Sequence, residues 1–269
     1  MGHIRLGKIP TNKRWKDVVA LITAEVVSDV AGHDTLAADV EQIASQTLTA
    51  AQFGLQLAIA DKGLRFTFFM LTQLVLASRH DDWMNKLQQL GIKLPPKPGL
   101  FDLTSSFQHC IDDYISRHAT TTDISEIAQL AATEAISHLI APRAQSLFGT
   151  GPEEVRVATK ELSTKKGFSD LGQLFFGRFM ARYLNFYLSR VTAAQTGKGG
   201  LRQVGELTTF NDALSLHCKQ SARIVHDFCG EWYSKTEFKE GISLANTSRF
   251  MAVALKKLEA ELNRQESDA

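Results

Sequence analysis

The stretch FFGRFMARYLNFYLSR, Phe175–Arg190, sets six aromatic residues and three arginines within sixteen positions, and its reading decides the fold. Such a run suits a single-strand nucleic-acid surface, a helix lying on a membrane, or the middle of a helical core. At 100° per residue, Phe186, Phe179, Tyr183, Phe176, Tyr187, Met180, Leu184 and Leu188 spread over an arc of roughly 200°. Asn185, Arg178, Ser189 and Arg182 form a narrow strip opposite. An apolar arc that wide is wrapped by several neighbours, whereas a helix on lipid keeps a broad charged face. The stretch is therefore expected to form the central helix of the core. Each of its fully buried aromatics or leucines should contribute about 1.5–3 kcal/mol.

Outward from this helix, apolar residues keep helical spacing almost throughout. Upstream, the spacing predicts helices over Trp15–Val30 and Thr35–Ala60. It continues over Leu64–Ser78 after a turn at Gly63, and over His80–Leu90, closed by Gly91. The segment KLPPKPG, Lys93–Gly99, is the clearest break, because closely spaced prolines cannot continue a helix. Downstream come Leu100–His118 and a helix opened by Asp123 and Glu126 in capping-box spacing. One short helix is opened by Pro142 and another by Pro152. Then follow Phe168–Val191, Thr209–Cys229 capped by Gly230, and a last helix over Ser243–Arg264. No strand alternation or repeat is visible. The expected fold is all-α, a compact bundle of about ten helices. It divides into an N-terminal helical segment with a basic arm (1–92), a Pro-rich connection (93–99) and a C-terminal helical segment (100–269). These are two helical subdomains or one continuous domain.

The chain has 269 residues, 44% of them apolar and 22% charged, which is a globular composition. A net charge of +1 gives no global field for nucleic acid or anionic lipid. Three scattered cysteines do not make a disulfide scaffold, so a reducing, cytoplasmic setting is expected. The N-terminus lacks the apolar run of a signal peptide, and Leu6 stands where a myristoylation signal has Ser or Thr. The charge-free stretch Gln42–Ala60 and the apolar Phe66–Ser78 are read as buried helices, not membrane spans.

No cofactor motif and no catalytic set is legible. The loop QTGKGG, Gln195–Gly200, lacks the first glycine and the final Ser or Thr of a phosphate-binding loop. His217, Cys218, His226 and Cys229 cannot surround one zinc ion from a single straight helix. His-Asp pairs raise the alternative of an HD-type metal phosphohydrolase, with His33, His80, Asp81 and Asp112 or Asp113 as ligands. The Gly-Lys or Gly-His that commonly follows such a pair is absent here.

The leading expectation is a non-catalytic helical adaptor or structural subunit of a larger assembly, with a protein partner or self-association. Trp232 and Tyr233, expected in a loop, with Lys235, Phe250 and Leu258 of the following segments, are its candidate partner contacts. The alternative is nucleic-acid binding through a local basic patch of Lys13, Arg14, Lys16, Lys165, Lys166, Arg178 and Arg182.

Overall fold

A computed structural model of the chain describes residues 57–144, 151–195 and 204–267, and among these it forms nine helices and no strand. They are α1 (Lys62–Ala77), α2 (Trp83–Gln89), α3 (Leu100–His118), α4 (Asp123–Ile140) and α5 (Pro152–Glu161). Next come α6 (Lys165–Gln195) and α7 (Val204–Ser221), a 3-10 turn (Ala222–Val225), α8 (His226–Lys239) and α9 (Leu244–Ser267). The fold is the compact all-α arrangement that the apolar spacing predicts. None of the described helices is long and apolar enough to cross a membrane.

The 31-residue α6 carries the opening stretch and packs against α4, α7 and α8. Phe175, Phe176 and Phe179 are fully buried, and Met180, Tyr183 and Leu184 nearly so. Phe68 of α1 is the hub of the aromatic core. Its ring centroid lies 5.3–6.3 Å from those of Phe168, Phe175, Phe176, Trp232 and Phe250, the range in which aromatic pairs attract. Phe68 precedes Lys93–Gly99 and its ring partners follow it, so helices on both sides of that connection share this core. The connection itself is non-helical.

Helix ends show where local chemistry and packing compete. Asp61 caps α1 by accepting from the Leu64 amide at 2.7 Å, and its other oxygen accepts from the Thr122 hydroxyl at 2.6 Å. Thr122 in turn caps α4 by accepting from the Ser125 amide at 3.0 Å. One buried carboxylate thus joins two helix starts. The cap of α4 is therefore Thr122 with Ser125, one residue before the expected Asp123–Glu126 pair. A threonine hydroxyl that also reaches Asp61 satisfies two groups where Asp123 satisfies one. Pro152 does occupy the first turn of α5, and Gly91 does adopt a left-handed backbone (φ +93°) after α2. Pro142 lies in a turn following α4 and opens no helix within residues 141–144.

Two glycines expected at turns lie inside helices. Gly63 is in the first turn of α1, where an added Cβ would meet the Ser125 Cβ of α4 at 2.3 Å. Gly230 is in the middle of α8, where a Cβ would come within 2.1 Å of the Ser169 hydroxyl and 2.5 Å of the Lys165 carbonyl. Both serve close helix–helix approach. The expected Thr209–Cys229 helix is accordingly split by the 3-10 turn, and helix resumes through Gly230 to Lys239. Trp232 and Tyr233 are helical residues, not loop residues.

Candidate functional site: a groove between α4, α6 and α7

A groove of about 820 Å³ runs between α4, α6 and α7. The α4 wall carries Asp123, Ile127, Leu130, Glu134 and His138; the α6 wall carries Leu174, Arg178, Ala181 and Asn185. On α4 the residues step by four, three, four and four, and on α6 by four, three and four, the spacing that keeps one helix face against a neighbour. Leu130 is 40% exposed in it, although it sits on a face built for contact. The α7 wall adds Ser215 and Lys219.

Three charges meet between α4 and α6. Glu134 accepts from Arg178 Nη1 at 3.1 Å and from Arg182 Nη2, and all three side chains are about one-third exposed. The Nε of each arginine is shut off from solvent and has no hydrogen-bond partner among the described residues. Burial, the largest single influence, raises the Glu134 pKa, but the hydrogen bonds and charges of Arg182 and Arg178 together outweigh it. Its carboxyl therefore stays ionised below the usual range. Two cations on one anion leave a net positive centre. Lys219 of α7 lines the same groove, with its backbone close to Gly177 of α6.

A second cleft, of about 600 Å³, lies where the end of α1, the α5–α6 junction and α8 meet. Arg79 fills its charge: it donates to Glu237 at 3.0 Å, to the Tyr233 hydroxyl at 3.1 Å and to the Ser163 carbonyl. Burial pushes the Tyr233 hydroxyl pKa well up, and the nearby Arg79 offsets only part of this. The cleft is a clamp between elements.

His226, at the start of α8, sits between two carboxylates, with Nδ1 2.6 Å from Asp227 and Nε2 3.0 Å from Asp170 of α6, and when protonated it donates to both. Burial pulls its pKa down, yet Asp170 and Asp227 together outweigh burial, so it lies above the ordinary imidazole value.

The residues singled out from sequence fall in separate places. Tyr233, Phe250 and Leu258 are buried, and Trp232 is half-buried with its ring stacked 4.2 Å from that of Phe250. They are core contacts here. Lys235 is exposed and pairs with Glu231 at 3.3 Å. Lys165 pairs with Glu231 at 3.5 Å and Lys166 with Asp170 at 3.2 Å. These lysines lie twelve or more residues before Arg178 on α6, roughly 18–25 Å from the two arginines along the helix. Lys13, Arg14 and Lys16 lie outside the described residues, as does His33. His80 and Asp81 are on the surface, Asp81 beside Arg156 at 3.7 Å, and Asp113 pairs with Arg117. Cys218 and Cys229 are buried free thiols on different helices. No group of three metal-ligating side chains occurs among the described residues.

Arg178 and Arg182 are the part of the groove visible from sequence, as a pair one turn apart. Glu134 was not legible. It lies forty-four residues before Arg178, and nothing local marks it as their partner.

No protein-family model matches the chain, and no curated protein or solved structure matches it either.

Proposed function

We propose that the protein is a non-catalytic helical adaptor, or structural subunit of a larger assembly, that holds a partner protein in the groove between α4, α6 and α7. One observation carries the reading. Two helices present matching four-three-four stripes to the same open groove, with the half-exposed Leu130 between them. A third helix laid there would find a stripe on each side, the geometry of helix-in-groove recognition. This moves the expected contact surface from Trp232 and Tyr233 to the opposite face of α6. Three free, buried thiols suit a reducing compartment, so the reading favours a cytoplasmic protein.

The test is site-specific photo-crosslinking in the native cell, with the full-length chain carrying the photoreactive residue at Leu130. The same residue at Lys239, on the exposed end of α8, serves as the control. One polypeptide captured in constant proportion from Leu130, and lost when Ala181→Trp fills the groove, supports the reading. Capture no greater than from Lys239, or capture indifferent to Ala181→Trp, overturns it.

A further inference from the structure

The groove carries charge in two separated places. Its positive centre is formed by Arg178 and Arg182 around the single carboxylate of Glu134. Asp123 and Glu126 line the same groove at the start of α4. They stand eleven and eight residues before Glu134, which on a helix is roughly 12–16 Å. First-turn acids also suit the helix dipole, but these two project into the groove as well. Ile127 and Leu130 supply apolar surface between the two charged places.

An occupant that covers this groove removes water from both. Over the arginines it would strand a surplus positive charge, with two Nε groups already out of solvent, unless it brings an anion. Over Asp123 and Glu126 it would strand negative charge unless it brings a cation. Resting on the docking reading above, we infer that the partner segment is an amphipathic helix with an acidic and a basic side chain either about eight or about eleven residues apart, the spacings that keep both on the face of its apolar stripe. The acid pairs with Arg178 and Arg182, and the base pairs with Asp123 and Glu126. The spacing follows from the protein's own charges, because an occupant helix alongside α4 has the same rise per residue.

The experiment uses the full chain and fluorescent synthetic helical peptides with a four-three-four leucine stripe. Two carry one Glu and one Lys about eight residues apart, a spacing that keeps both on one side of a helix, in the two possible orders, which cover both directions of the helix in the groove. A third has Gln at both places. Fluorescence anisotropy is expected to show one order binding at least about tenfold tighter than the other two peptides, a difference of about 1.4 kcal/mol. Glu126→Lys should remove that advantage, and changing the peptide's Lys to Glu should restore it. Arg182→Gln should reduce it about as much, with circular dichroism confirming that each variant is folded. Equal binding of all three peptides, or binding of none, overturns the inference. The crosslinking separates the two ideas. A partner captured at Leu130 whose captured segment lacks such an acid–base pair overturns the charge code and leaves docking standing. Capture of this chain's own residues 15–30, or of no protein, removes docking itself.

Discussion

Gly230 is where a single atom matters most. An added methyl would meet both the Ser169 hydroxyl and the Lys165 carbonyl, and the carbonyl belongs to backbone that cannot rotate away. Gly230→Ala is therefore expected to destabilise the fold by about 2–3 kcal/mol, although alanine is the better helix former, and urea unfolding measures it. Asp61 carries a different load, since it caps α1 and accepts from the cap of α4. Asp61→Ala should cost about 2 kcal/mol, more than an ordinary cap, because it also orphans the Thr122 hydroxyl. If the loss equals that of Thr122→Ala and the double variant adds nothing, the two residues act as one unit. His226 gives a pH-dependent contribution. Its folded pKa is above 6.5, so the contribution is complete below 6.5 and disappears as pH rises through the folded value. His226→Gln should flatten stability across that window by lowering it on the acid side, and leave stability above the folded pKa little changed.

Among the elements, α6 is the one the others are arranged around. Its apolar arc was legible because helical periodicity survives in sequence without knowledge of neighbours. Phe176→Ala, which empties a fully buried site beside Phe68, should cost about 3–5 kcal/mol in denaturant unfolding. The arginine strip was legible as residues and misleading as environment. An isolated helix would leave it in solvent, but α4 lies along it and Glu134 ties both arginines. The α7–α8 boundary shows the same limit. A Gly after a helix-like run reads as a cap when only local conformation is weighed. Here the helix runs through Gly230 because α6 crosses too closely for any side chain.

For the molecule as a whole, pH should bound stability from both sides. Glu134 is held below its ordinary pKa, so its contribution is present above about 4.5 and lost as pH falls through the folded value. His226 runs the other way. Thermal unfolding across pH should show a broad maximum between these limits. Glu134→Gln should remove part of the acid-side fall and leave the fall on the neutral side unchanged. The groove belongs to this scale too, since its walls come from three helices and its charges from residues far apart in sequence.

Taken alone, the sequence determined that this is an all-helical protein and which face of each main helix is apolar. Periodicity, proline placement and composition act over a few turns, and those signals are written locally. The tertiary structure alone decided what faces what. It turned Trp232 and Tyr233 inward, gave Arg178 and Arg182 a shared carboxylate, made Gly63 and Gly230 contact points, and opened the α4–α6–α7 groove. Each of these depends on distances between helices tens of residues apart. Such distances are set by the packing of the whole core, and no short stretch of sequence contains them.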